Sequence, residues 1–522
     1  MRIGFAVLYA WRPHVEHAYF LASLAERSGH LAFHLSCQAD LPSCYTRELR
    51  GRPAWQECLA CRAGSIGSFT GSRVASIGAQ AGADDAVAPR EWAQSSASTL
   101  GRFESAADYA EPAFAAYVDR LAPAVERTYR AARAWIRENR LDAVCVFNGR
   151  MDATRGVLEA ARSLGVRVIS MERTWFSHGL QLYPEESCLG LRSVHRLVRE
   201  WRDRPLTEWQ ARTAAGYPAA RFLRLNATEW RAYNVDARAA AWPVAGARRR
   251  ILLIPSSLNE VWGHPDWASA WPDPLAAYDA LIERFGLQPS DLVLRCHPNW
   301  AERIGRQGGE RSERHYLQWA EARGIHGIAS ADTASTLGLI EQCEAIVVAG
   351  GSAALEAGML GKQVIGIAPS TYQEAGLRDD ASSPAALATL RLQAELPADE
   401  LAARRTRVAR QTLRFAYTMI HRIPQYVNEV RAETTTRFRY DPDTDPARFI
   451  ELLRSGVLQP DDADFAADEA AEDAVLQQVA EGRWERLAQA PATPPRERVA
   501  IRRRLLFRPV DAVRERMPLG DR

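Results

Sequence analysis

Several short apolar runs constrain this chain more than any other feature: Ala143-Val-Cys-Val-Phe147, Ile251–Ile254, Ala345–Val348 and Val364–Ile367. A strand with one wet face alternates apolar and polar residues. A run that is apolar at every position belongs to a strand covered on both faces, as in a parallel sheet with helices on either side. Helix-spaced stretches such as Val15–Arg27, Ala115–Asn139 and Ala153–Leu164 separate such runs, and that alternation predicts an α/β fold.

The alternation occurs twice. Arg2–Tyr9, Leu31–Leu35, Ala143–Phe147 and Val166–Met171 are the strands of a first unit, and the stretch from Ala240 to Arg250 reads as a linker. Ile251–Ile254, Leu292–Arg295, Ile325–Ala329, Ala345–Val348 and Val364–Ile367 are the strands of a second. With 522 residues there is chain enough to bury two large cores. The expected organisation is a first domain over 1–245, a second over 246–385, helices over 386–435 that pack back across both, and a tail over 436–522. Leu401–Val430 is predicted helical, and Ala63–Ser98, rich in Gly, Ser and Ala, is predicted to be a loop or mobile insertion.

Charge excludes a nucleic-acid binder driven by its overall field, because Lys+Arg 66 stands against Asp+Glu 64. Lys362 is the sole lysine, an arginine bias that reads as coding drift in a GC-rich genome. A single arginine is therefore weak evidence for phosphate binding here. No stretch reaches the roughly 18 apolar residues of a membrane span. Met1–Tyr9 has neither a basic leader before it nor a cleavage site after it, so a soluble, cytoplasmic protein is expected, with its eight cysteines reduced.

Four of those cysteines, Cys37, Cys44, Cys58 and Cys61, fall within 25 residues. They are candidates for a structural zinc site that would pin a loop-like excursion, the alternative being unligated thiols. Cys145, Cys188, Cys296 and Cys343 read as scattered buried thiols.

The chemistry concentrates at strand ends. Val348 runs into Ala349-Gly350-Gly351-Ser352 and a helix starts at once, which offers free backbone N–H groups to a phosphate. The alternative is a tight turn with a serine cap. Glu356 lies one turn further along the same helix face. Leu294-Arg-Cys-His-Pro-Asn299 ends a strand at His297, and Ser256-Ser-Leu-Asn-Glu-Val-Trp-Gly-His264 follows another, so three polar strand ends meet one sheet edge, where ligands of open α/β sheets bind. In the first unit Phe147-Asn-Gly-Arg150 and Met171-Glu-Arg-Thr-Trp-Phe-Ser-His178 do the same. Glu172 is the candidate general base, with neighbouring aromatic residues expected to raise its pKa; a salt bridge to Arg173 or Arg150 is the alternative. His14 and His17 read as structural.

Over residues 1–430 the segments Phe147–Arg150, Glu172, Pro255–Glu260, Arg295–Asn299 and Val347–Ile365 resemble bacterial capsule-polysaccharide biosynthesis transferases, two-domain glycosyltransferases of the GT-B type. The resemblance implies two Rossmann-like parallel-sheet domains facing a cleft, with a C-terminal helical extension. It implies that the second domain holds a CMP-, UDP- or GDP-linked sugar and the first a glycan or lipid-linked acceptor. His297, Gly350, Gly351 and Ser352 would then contact the donor phosphate, Glu356 the ribose, and Ser256, Ser257 and Arg295 the same donor wall. Glu172 would deprotonate the acceptor, with Glu260 and His264 on the opposite wall and Asn148, Arg150 and His178 on the acceptor side. No cofactor is implied for catalysis. A nucleotide-sugar 2-epimerase shares this plan, but its usual Gly-Thr-Arg-Pro-Glu segment is replaced here by Tyr9-Ala-Trp-Arg-Pro13. A non-catalytic scaffold of a polysaccharide assembly complex is the third reading.

The tail has no counterpart in that resemblance. Asp461–Asp473 holds seven acidic residues, and Arg496–Arg516 holds eight arginines against three acids with Leu505, Leu506, Phe507, Val510 and Val513 among them. The basic segment is expected either to dock on a partner or on anionic lipid at the inner membrane face, or to pair with the acidic run.

Overall fold

The computed structural model describes residues 1–489 apart from 81–83, 177, 227–228, 230–232, 235 and 304–306. The basic segment Arg496–Arg516 lies outside the described residues. Two six-stranded sheets carry the molecule. The first is built from β1 (Arg2–Val7), β2 (Leu31–Ser36), β3 (Val74–Ser76), β4 (Ala143–Phe147), β5 (Arg167–Arg173) and β6 (Leu180–Pro184). The second contains β7 (Ile251–Ile254), β8 (Leu292–Arg295), β9 (His326–Ile328), β10 (Ala345–Val348), β11 (Gln363–Gly366) and β12 (Asp379–Asp380).

Their spatial orders are β3-β2-β1-β4-β5-β6 and β12-β11-β10-β7-β8-β9. Numbered from its own first strand, each sheet therefore has the doubly wound order of a dinucleotide-binding fold. All neighbours are parallel except β6, which runs antiparallel to β5. In each sheet the chain starts at the centre, builds outward on one side and crosses back to the other. That crossing places β1 beside β4 and β7 beside β10, and the loops leaving these central pairs diverge to open a crevice.

Burial explains why the apolar runs became these strands. Every residue of β4, β7, β8, β10 and β11 is buried. In β1 a glycine stands where packing demands it: a Cβ on Gly4 would lie 2.4 Å from the Trp135 ring and 2.7 Å from Leu141. Trp135, 1% exposed, belongs to the long helix Pro112–Asn139 that covers this face.

Three expectations need correcting. The stretch Ala63–Ser98 is not wholly loop, since it contains the edge strand β3 and the start of the helix Gln94–Gly101; three residues pairing at an edge leave no periodicity to read. The cysteine-bearing excursion is mostly helical, over Tyr45–Arg50 and Ala54–Ser65. The helix expected to reach Val430 spans Ala398–Tyr417, extends through a wide turn at Thr418–Arg422, and stops ahead of Pro424, which has no N–H to continue it. Val430–Ala432 then pairs with Phe438–Tyr440 as an antiparallel hairpin.

This C-terminal extension binds both halves together. The helix Ala398–Tyr417 packs on Glu208–Phe222 and on Ala353–Met359, and at the second crossing a Cβ on Gly358 would collide with Thr412 Oγ1 at 2.2 Å. The acidic run is committed to the same body. Glu472, fully buried, accepts from Leu206 N (2.8 Å), Arg414 Nε (2.8 Å) and Arg414 Nη2 (2.7 Å). Glu469 and Asp473 pair with Arg410, and Asp462 accepts from Gln210 and Tyr417. Among the described residues, no helix is long and apolar enough to cross a membrane.

Removing one partner of a buried ion pair strands the other charge. Glu472→Ala is expected to destabilise the protein by about 3 kcal/mol in denaturant unfolding, because it takes from the 3%-exposed Arg414 the buried one of its two carboxylates and leaves only the half-exposed Glu469, at 2.7 Å. Asp473→Ala, at a 60%-exposed side chain, should change stability by less than about 1 kcal/mol.

Candidate functional site

The carboxyl edges of the two sheets face each other. Loops after β4 and β6, with the helix Gln94–Gly101, meet the long loop after β7. Ser98 Oγ and Thr99 Oγ1 donate to Asn259 O at 3.1 and 3.3 Å, and Arg150 Nη1 donates to Glu260 O at 3.3 Å. Leu191 N donates to Asp266 Oδ2 (2.9 Å) and Trp267 Nε1 to Leu189 O (2.8 Å). The two crevices created by strand order therefore open towards a common cleft.

In the second sheet that crevice lies between Ser256, after β7, and Gly350-Gly351, after β10. A Cβ on Gly351 would sit 3.3 Å from Ser256 Oγ, and that hydroxyl is buried with no hydrogen-bond partner. Gly350 has φ +141°, a conformation that favours glycine, and an added Cβ would lie 3.3 Å from the Trp267 ring, which roofs the turn. Ser352 is exposed at the helix start and does not cap it through its side chain. Glu356 is buried and belongs to a cavity of about 390 Å³. Its Oε1 accepts from Arg221 of the first domain, and its Oε2 has no partner.

Two neighbours have roles different from those expected of them. Arg295 spends its guanidinium on the carbonyls of Ala329 and Asp332, the latter at 2.9 Å, so it clamps the loop after β9. Ser257 Oγ accepts from Trp300 Nε1 at 2.7 Å. His297 caps the turn after β8: its Nδ1 accepts from Asn299 N at 3.2 Å. Burial lowers its pKa to about 4, so it is a neutral ring whose Nε2 carries the proton and can donate.

The first sheet's crevice gathers His14 after β1, Asn148 after β4 and Glu172 at the end of β5. His14 Nε2 lies 2.5 Å from Glu172 Oε1, and Asn148 Nδ2 donates to Glu172 Oε2 at 2.9 Å. Burial disfavours the Glu172 carboxylate. The His14 charge and hydrogen bond, with Arg173 and Asn148, outweigh burial and hold its pKa at about 2. The expectation of a raised Glu172 is thus reversed, and a carboxylate this acidic is a poor base. His14 is the residue that sequence reasoning underrated. With Nε2 turned to Glu172, its Nδ1 is buried without a partner, which is the arrangement of a carboxylate-oriented imidazole base. The one available signal was its position directly after a central strand.

The remaining candidates disperse. Arg150 Nη1 bonds Ser95, Thr99 and the Glu260 carbonyl, so it ties the domains together. His178 Nδ1 accepts from Ala432 N of the C-terminal hairpin, a structural contact. His264 Nδ1 accepts from Asp266 N, and its pKa is lowered by burial. The Glu260 side chain is exposed. Cys37, Cys44, Cys58 and Cys61 do line one recess, of about 20 Å³. Among the described residues, however, no three His, Cys, Asp or Glu are grouped to hold a metal ion. Burial pushes the Cys37 and Cys44 thiols up, towards the protonated form. As placed, these residues do not fit zinc.

The depressed Glu172 predicts acid sensitivity. A carboxylate whose pKa falls from 4.5 to about 2 on folding contributes stability that is present above pH 4.5 and lost as pH falls towards 2. The shift corresponds to about 3 kcal/mol. Wild type is expected to lose that much relative to Glu172→Gln between pH 5 and pH 2, read from unfolding at each pH.

No protein-family model matches the chain, and no curated protein matches it. Among solved structures it is similar to the beta Kdo 2,4 transferase KpsC of Thermosulfurimonas dismutans, at 13% identity over 61% of this chain and 87% of that one, with a TM-score of 0.31. A putative UDP-N-acetylglucosamine 2-epimerase from Listeria monocytogenes is similar at 12% identity over 89% and 100%, with a TM-score of 0.28. A Streptomyces glycosyltransferase complexed with thymidine diphosphate is similar at 11% identity over 79% and 95%, with a TM-score of 0.22.

Proposed function

We propose that the protein is a glycosyltransferase that moves a sugar from a nucleotide-sugar donor to an acceptor hydroxyl in the cleft between its two sheets. The observation that carries this reading is that two of the buried polar atoms without partners in the second domain, Ser256 Oγ and Glu356 Oε2, belong to the strand-end loop and the helix that flank the Gly350-Gly351 turn. Buried polar atoms ordinarily find partners. A nucleotide would supply them, its ribose hydroxyls donating to Glu356 Oε2 and its phosphate accepting from Ser256 and from the backbone at Gly350–Ser352. His297 Nε2 would donate to the same phosphate as a neutral group.

On the facing wall His14 is the base of this reading. Its Nδ1 takes the acceptor proton while Glu172 steadies the imidazolium through Nε2. The acceptor oxygen then bonds to the anomeric carbon, the carbon–oxygen bond to phosphate breaks, and the nucleotide leaves with its electron pair. Asn148 holds the second oxygen of Glu172, so the dyad keeps one orientation. Surface-polysaccharide assembly at the inner membrane face, with a glycan or lipid-linked acceptor, completes the reading. Its support is the composition of Arg496–Arg516, eight arginines against three acids with apolar residues among them, which an anionic surface would attract.

The test is a thermal-shift screen with CMP, CDP, UDP, GDP and ADP on wild type and Glu356→Ala. A nucleotide at 100 times its dissociation constant should stabilise wild type by about 2.7 kcal/mol, with the shift lost in the variant. With the donor identified, His14→Ala should slow transfer by about 10²–10⁴-fold at unchanged nucleotide affinity. Conversion of the nucleotide sugar to its C2 epimer in the absence of an acceptor would favour the epimerase, and no nucleotide shift at all would favour the scaffold.

A further inference from the structure

The first domain reaches into the second at one point through three consecutive residues. After the helix Gln94–Gly101 the chain turns at Arg102, in the left-handed region at φ +49°. Arg102 donates through Nη1 to Glu302 O (2.9 Å) and through Nη2 to Asn299 O (3.0 Å), gripping the loop after β8 that begins at His297. Phe103, 1% exposed, is buried beneath the Arg311 guanidinium. Glu104 then enters the second domain itself. It accepts from Leu258 N at 3.0 and 3.3 Å, from Ser312 Oγ at 2.9 Å and from Tyr316 OH at 3.2 Å. Leu258 lies two residues beyond Ser256, so the strap holds the loop after β7, which lines one side of the second crevice, together with the loop after β8.

We infer that Arg102–Glu104 is a latch between the two halves, and that Glu104 is the positioning residue whose protonation sets how firmly the loop after β7 is held against the first domain. The geometry explains the coupling to protons. Glu104 is 1% exposed, and among the described residues no cation pairs with it. Arg102 is turned to carbonyls, and Arg311 to Asp108 and Glu111 at 2.7 Å each. Asp108, on the same strap, adds a negative charge and accepts from Glu104 N at 2.8 Å. Tyr278, Tyr109 and Tyr316, from three neighbouring helices, face the carboxyl and carry no positive charge.

Burial, reinforced by Asp108 and opposed by the three donors, raises the Glu104 pKa to about 7. Released to water, the group would return to its ordinary 4.5. Opening the latch therefore releases a proton near neutrality. The hold is complete below about pH 4.5 and weakens as pH rises through 7.

The experiment is hydrogen exchange of the peptide spanning residues 255–262, corrected for the intrinsic pH dependence of exchange, between pH 5.5 and 8.5. In wild type the opening equilibrium should rise by about 30-fold across that range. Glu104→Gln, which cannot titrate, should be flat. Tyr316→Phe removes one donor to the carboxylate and keeps the carboxyl, so its midpoint should move to higher pH. A flat wild-type profile, an unchanged slope in Glu104→Gln, or an unmoved midpoint in Tyr316→Phe would each overturn the inference. The first and third decide it even if Glu104→Gln does not fold. No ligand enters the test, so its outcome is independent of the transferase reading.

Discussion

A parallel sheet wound from its centre outward cannot close its own carboxyl edge. When the chain crosses from one side to the other, the loops after the two central strands leave in opposite directions, and the gap between them has no side chain of its own to fill it. Both sheets here obey that constraint. Everything else follows from how the two gaps are brought face to face: the loop after β7 is long enough to reach the first domain, and the loops after β4 and β6 are there to meet it.

The packing between the halves relies on buried acidic side chains. Glu356 is held by Arg221, Glu472 by Arg414, and Glu104 by two hydroxyls and one amide. Each joins segments more than a hundred residues apart or brackets the extension to the body. Apolar contact alone would hold two such domains at any of several angles. A carboxylate with two directed acceptor oxygens accepts only one. Glu356 does this with one oxygen and leaves the other buried without a partner beside the cavity.

What was legible in the sequence was what depends on neighbours along the chain. Ala143–Phe147, Ile251–Ile254 and Ala345–Val348 are strands with the expected bounds because burial on both faces leaves no polar interruption. The β6 strand escaped notice because it is short and follows β5 after a few residues. The site was legible only as a set of strand ends. His14 and Glu172 are 158 residues apart, and no local pattern announces their contact. Arg150 and His178 misled for the same reason, since their partners, Glu260 and Ala432, belong to other parts of the fold. The arginine bias made Arg295 and Arg221 indistinguishable beforehand, and one proves to clamp backbone while the other reaches the cavity carboxylate.

The internal neutralisation of the acidic run has a consequence for the molecule as an electrical object. Arg496–Arg516 nets five positive charges, and the whole chain is formally +2, so the rest carries about three negative charges. Near-neutrality overall hides a separation of charge between body and terminus. The charge is divided along the sequence, and an anionic surface would attract the one stretch and repel the excess negative charge of the remainder, with a strength that falls as salt rises.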